Sequence, residues 1–214
     1  STCRRNVDAG FSIVSYTGSG SATTIGHGLS KAPDMILVKN RANPDGADAY
    51  HTGMASSSPE DYQIDLNTNG ARYAHIDYWN DTLATSTTFS VKSSDSTNES
   101  SQTFIAYCWH SVDGFSAFNR FIGNGSADGT FIYTGFSPAF VCIRSVSNAN
   151  SWTLFDDARN PTNPDGRYLL IDTSDAEVAS TTVEIDKLSN GFKARDNQNN
   201  INGSAREYIF MAFA

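Results

Sequence analysis

Charge is scarce in this sequence. Asp, Glu, Lys and Arg make up 18% of its 214 residues, against roughly a quarter in an ordinary soluble domain. Positive charge is scarcer still: 15 Lys and Arg stand against 23 Asp and Glu, a formal net charge of −8. That disfavours a nucleic-acid partner held through a basic face. Cysteine is nearly absent. Cys3, Cys108 and Cys142 are too few and too odd for a disulfide framework, and no Cys-x-x-Cys or His/Cys cluster points to zinc. No apolar run approaches the roughly 18 residues of a membrane span, so membrane insertion is not expected. The opening Ser-Thr-Cys-Arg-Arg has no apolar stretch behind it. It reads as a chain begun in mid-protein, not as a signal peptide.

Helical periodicity is missing as well. Only residues 174–180 suggest even one short helical turn. Local catalytic signatures are absent too: there is no Gly-x-Ser-x-Gly, no His-Glu-x-x-His and no P-loop. The four histidines, His27, His51, His75 and His110, are scattered. No enzyme and no cofactor is expected on these grounds.

What is present is Ser, Thr and Asn, together 64 residues, and a 12% share of aromatics, enough apolar mass for a folded core. The chain also repeats itself. Residues 10–22 read GFSIVSYTGSGSA and residues 114–127 read GFSAFNRFIGNGSA. APDMILVK (32–39) answers SPAFVCIR (137–144). QIDLNT (63–68) answers YLLIDT (168–173), and TTFSVK (87–92) loosely answers NGFKAR (190–195). TFIAYCWH (103–110) answers EYIFMAFA (207–214), always at an offset of 103 to 105. We read a lead-in over 1–8 and two similar units, 9–112 and 113–214, joined almost without a linker and expected to pack together.

The segments between turn signals are short, apolar and rich in aromatic and β-branched residues, such as Met35-Ile36-Leu37-Val38 and Phe104-Ile105-Ala106-Tyr107. About seven strand candidates fall in each unit. This predicts an all-β chain of two tandem antiparallel β-sandwich, jelly-roll-like units. Positions apolar in both units are the expected scaffold: Phe11 and Phe115, Met35 and Phe140, Ile36 and Val141, Val38 and Ile143, Tyr50 and Phe155, Phe89 and Phe192, Ile105 and Ile209, Trp109 and Phe213. Gly18, Gly20, Gly123 and Gly125 are expected to form turns. Both Asn-Pro-Asp-Gly tracts, 43–46 and 163–166, suit type I turns followed by a glycine of positive φ. Asp45, Asp48 and Asp165 in and beside them are too sparse for a dedicated calcium cage, so no metal is expected.

The two units differ most over 69–87 and 174–190. Only the first holds rings there: Tyr73, His75, Tyr78 and Trp79, interleaved with Asp77 and Asn80. Rings cover the C–H face of a sugar while polar groups take its hydroxyls, so these six are the candidate ligand-binding residues. Packing on a neighbouring subunit and an intradomain plug are the other roles open to this loop. A depolymerase would need a carboxylate pair about 5–10 Å apart in a groove, drawn from Asp77, Asp81, Asp156 and Asp157.

GFSIVSYTGSGSATTIGHGLSKAPDMILVKNR, FIAYCWHSVDGFSAFNRFIGNGSADGTFIYTGFSPAFVCIR and the ending YIFMAFA together resemble a module of virion surface proteins of tailed bacteriophages, marine phages among them. The likeness spans residues 9–214. It implies a tail-fibre or other surface component of the virion, outside the cell, non-catalytic and adhesive. Its partners would be a host cell-surface glycan and other virion proteins, and it would be a homo-oligomer, a trimer being favoured. A capsid decoration or head-fibre role is the structural alternative. No catalytic residue carries over.

Overall fold

A computed structural model describes residues 1–44 and 46–214. The chain is all-β, 41% strand and 5% helix, with antiparallel sheets. Its contacts divide into two compact units, one of residues 1–66 and 72–112, the other of residues 67–71 and 113–214.

The first unit holds β1 (Thr2–Asn6), β2 (Phe11–Thr17), β3 (Thr23–Gly26), β4 (Met35–Asn40), β5 (Ala47–His51), β6 (Tyr62–Asp65), β7 (Tyr73–Ala74), β8 (Thr88–Val91) and β9 (Thr103–Trp109). Two single-turn α-helices, α1 (Ile76–Trp79) and α2 (Asp95–Asn98), and a 3-10 turn over Pro59–Asp61 join them. The main sheet runs β1-β2-β9-β4-β5-β6-β7, and β3 pairs with β8 in a second sheet. Alternation decides which side chains meet. Val14 and Tyr16 of β2, Ile36 and Val38 of β4, and Phe104, Ala106 and Cys108 of β9 form one wall of the core. Ile25 of β3 with Phe89 and Val91 of β8 form the other, Ile25 lying opposite Phe89. This is a β-sandwich core. Burial pushes the Cys108 thiol up to about 12.

The second unit holds β10 (Ser116–Ile122), β11 (Phe131–Tyr133), β12 (Phe140–Ser145), β13 (Thr153–Asp156), β14 (Arg167–Leu170), β15 (Val178–Ala179), β16 (Ile185–Leu188), β17 (Gly191–Ala194) and β18 (Glu207–Phe213). Its main sheet runs β10-β18-β12-β13-β14-β15, and its second sheet β11-β17-β16. Val141, Ile143, Tyr208, Phe210 and Ala212 face Ile132, Phe192, Ala194 and Ile185 across the core. β4 and β12 are continuous apolar runs because each lies inside its sheet, between β9 and β5 and between β18 and β13.

One device occurs in both units. Asn98 and Asn202 are fully buried. Ser19 N–H donates to Asn98 Oδ1 at 2.9 Å, and Asn98 Nδ2 donates to the Ser21 carbonyl at 2.8 Å. Asn124 N–H donates to Asn202 Oδ1 at 3.1 Å, and Asn202 Nδ2 donates to the Ser126 carbonyl at 2.9 Å. Each amide thus ties the glycine-rich turn to the strand-end loop before β9 or β18. The turn glycines are required in two ways. Gly20 and Gly125 have φ of +70° and +67°. A Cβ on Gly18 or Gly123 would lie 2.1 Å from the Glu99 carbonyl oxygen or 2.3 Å from that of Gly203.

The lead-in residues 2–6 form β1, paired with β2. Three expectations need correction. Residues 174–180 form no helix, and β15 occupies 178–179. Phe11 and Trp109 stay out of the sandwich core and stack at 5.1 Å on the other face of the main sheet, while Phe115 is exposed. Here alternation overrides apolar identity. Finally, Gly166 has no positive φ, and its tract is not a free turn. Asp165 is buried and exchanges backbone hydrogen bonds with Ile185, and a Cβ on Gly166 would lie 2.1 Å from the Ser180 carbonyl. The first such tract includes Asp45, which lies outside the described residues.

Candidate functional site

The ring-bearing loop of the first unit begins at the sheet edge. β7 adds to β6, with Gln63 opposite Tyr73 and Tyr62 opposite Ala74. Arg72 enters the pair over the Tyr62 ring, 5.0 Å from its centroid, and donates to the Met54 carbonyl. After β7 the chain turns into α1. His75 caps it, Nδ1 accepting from the Asp77 N–H at 3.3 Å. Asn80 and Asp81 end it in the left-handed region, φ +55° and +43°. Asn tolerates that conformation better than most residues.

This geometry sorts the six candidate residues. Tyr73 is 40% exposed and Tyr78 half-buried. Their hydroxyls are 2.6 Å apart and their rings meet edge to face at 82°. His75 meets Tyr78 edge to face at 5.9 Å. Asp77 lies between the two sides: its Oδ2 is 3.6 Å from His75 Nδ1, while Ser93 Oγ donates to its Oδ1 at 2.8 Å and Lys92 Nζ lies 3.7 Å from it. Tyr73, His75 and Tyr78 therefore form one small ring cluster, rimmed by Asp77. Desolvation, then the hydrogen bond with Tyr78, pushes the Tyr73 phenol well above its ordinary range.

Trp79 does not join them. It is 3% exposed and packs in the core, edge to face with Tyr50 at 5.9 Å. It is the intradomain plug. Its indole N–H has no acceptor among the described residues, and the cavity of about 10 Å³ beside it has room for about one water. Asn80 Nδ2 lies 3.5 Å from Thr82 Oγ1, and its main role is the helix end.

Two of the four carboxylates weighed for a depolymerase, Asp156 and Asp157, lie in ion pairs. Asp156 pairs with Arg159 and Asp157 with Lys187. Asp165 also reaches Lys187, at 3.0 Å. Among the described residues no cluster of three or more His, Cys, Asp or Glu side chains is placed to hold a metal ion, and no helix is long and apolar enough to cross a membrane.

The chain belongs to a family of domains of unknown function, DUF7483, whose profile matches residues 1–214. No curated protein and no solved structure matches it. Two further exposed rings, Phe131 and Tyr133, escaped the sequence reading. The alternation Phe-Ile-Tyr around the buried Ile132 is the signal that marks them.

Proposed function

We propose that this chain is a non-catalytic surface domain of a tailed-bacteriophage virion, a tail-fibre component, and that its first unit binds a saccharide of the host surface through Tyr73, His75 and Tyr78. The observation that carries the site is the 40% exposed Tyr73 ring with its hydroxyl fixed by Tyr78. A ring held still at a sheet edge offers a C–H contact at little entropic cost. His75 and Asp77 beside it supply donors and acceptors for hydroxyls. The virion setting rests on the sequence resemblance over 9–214. In a homo-oligomeric fibre, a trimer being favoured, weak sites add by avidity. A glycan array probed with the purified chain tests it. Binding lost in Tyr73→Ala with the fold retained is the expected result. Equal binding by wild type and variant overturns the site.

A structural role in a capsid or head fibre is the second reading. Ile76, 44% exposed, and the exposed Leu83 lie on the same loop, as a contact with another virion protein requires. Protection of residues 70–82 from hydrogen exchange only in the assembled particle supports this reading over the first.

A further inference from the structure

The second sheet of the second unit has an outer face unlike that of the first unit. Ile132 and Phe192 lie opposite each other and point into the core. By alternation Phe131, Tyr133, Gly191, Lys193, Asp186 and Leu188 share the outward face. Phe131 lies opposite Lys193 and Tyr133 opposite Gly191. Asp186 and Leu188 continue those rows on β16. Phe131 is 44% and Tyr133 69% exposed.

A Cβ on Gly191 would lie 2.1 Å from the Ile132 carbonyl oxygen and 3.1 Å from Phe131 Cζ, so only a glycine fits beside that ring. Gly135, two residues after Tyr133, has φ +86°, a conformation that favours glycine. Both rings stay exposed to solvent. Ion pairs border them: Lys193 with Asp128 at 2.5 Å and Arg195 Nε with Asp186 at 3.3 Å. The corresponding rows of the first unit are Thr24 opposite Ser90 and Gly26 opposite Thr88, with no ring.

We infer that this face is a second binding site, for a neutral polysaccharide chain. Two rings about 6–7 Å apart along one strand offer successive stacking positions to a linear saccharide, and the flanking carboxylates and cations meet its hydroxyls. A protein partner fits less well. Two rings broken by charged side chains fall short of the roughly 800 Å² per side that a stable protein interface buries. The site is independent of the Tyr73 loop.

The test is native affinity electrophoresis of the full chain through gels containing dextran, yeast mannan or hydroxyethylcellulose. At least one of the three retards the wild type. Phe131→Ala/Tyr133→Ala weakens that retardation about tenfold or more, the scale of losing a ring anchor. Tyr133→Trp keeps it, and so does Tyr73→Ala. Both ring positions are exposed, and an unchanged circular dichroism spectrum confirms the fold. No retardation by any of the three, or equal retardation of the double variant, overturns the site. Loss in Tyr73→Ala alone assigns binding to the other loop and also overturns it. A changed sedimentation coefficient in the double variant, with retardation unaltered, makes the face a protein contact and overturns it as well.

Discussion

The two units share one strand order and part company at their margins. Without β1, the first main sheet runs β2-β9-β4-β5-β6-β7, and the second runs β10-β18-β12-β13-β14-β15, element for element the same. The shared parts are mostly buried: the sandwich walls, Gly18 and Gly123 of the turns, and the amides of Asn98 and Asn202. The differences are exposed or at edges. The first unit has β1 and the α1 loop. The second has β16 and the rings of β11. A sandwich tolerates change at its rim because few core contacts depend on it, and binding residues gather there for the same reason.

Trp79 is the exception, a difference between the units that reaches the core. Truncation there is the largest expected effect. Trp79→Ala costs about 3–5 kcal/mol, as large core deletions do, measured by urea unfolding. A cost below about 1 kcal/mol breaks the assignment of Trp79 as the plug of its unit.

The matched amides come next. Asn98→Ala and Asn202→Ala each strand several buried polar groups and cost about 2–3 kcal/mol. The comparison predicts similar costs for the two. A difference larger than about 1 kcal/mol means that the two amides do different work.

Much of this fold could be read from the residues, and the reasons are local. Apolar runs between turn signals placed β4, β9, β12 and β18, and the repeat placed Phe89 against Phe192. Nothing in single-residue character separates the two faces of a strand that is apolar on both, so the repeat marks Phe11 and Trp109 as scaffold without telling which face of the sheet they take. The Asn98 and Asn202 clamps hide in Asn-x-Ser triplets, which are uninformative in a chain so rich in Asn and Ser. In the candidate site the aromatic loop was legible because only one unit has it. The division within it was not. Whether a ring turns out, as Tyr73 does, or in, as Trp79 does, depends on a four-residue helix that no periodicity announces. Phe131 and Tyr133 were obscured because Ile132 between them makes the run look like core.

Acid sharpens the comparison by about 1 kcal/mol. Asp196 of the second unit is buried, accepting from the Glu184 and Gln198 N–H groups at 3.0 and 2.7 Å. Desolvation lifts its carboxyl to about 6, against 3.8 unperturbed. A raised acid binds its proton more tightly folded than unfolded. Its contribution is therefore fully present below the unfolded value and is lost as pH rises through about 6. Between pH 7 and pH 5 the native state gains about 1 kcal/mol from this group. Other carboxylates titrate too, so the informative quantity is a difference. The pH 5 minus pH 7 stability of Asp196→Asn should lie about 1 kcal/mol below that of wild type in urea unfolding. Equal values mean that Asp196 ionises normally.

The smallest effect on stability falls where the largest effect on binding is expected. Tyr73→Phe removes only the hydroxyl that meets Tyr78, on a side chain 40% exposed, and surface changes of this kind stay within about 0.5 kcal/mol. Yet that contact fixes the ring. With no phenol at position 73, the high-pH phenolate absorbance should lose one late-ionising group, since Tyr73 is held above the ordinary phenol range. Glycan affinity should fall by about two- to tenfold, less than in Tyr73→Ala, because the ring face remains while its orientation is lost. If Tyr73→Phe and Tyr73→Ala bind alike, the ring makes no contact and the hydroxyl alone matters. If neither differs from wild type, the loop is a margin of the fold like β16, and the contrast between the units carries no binding role there.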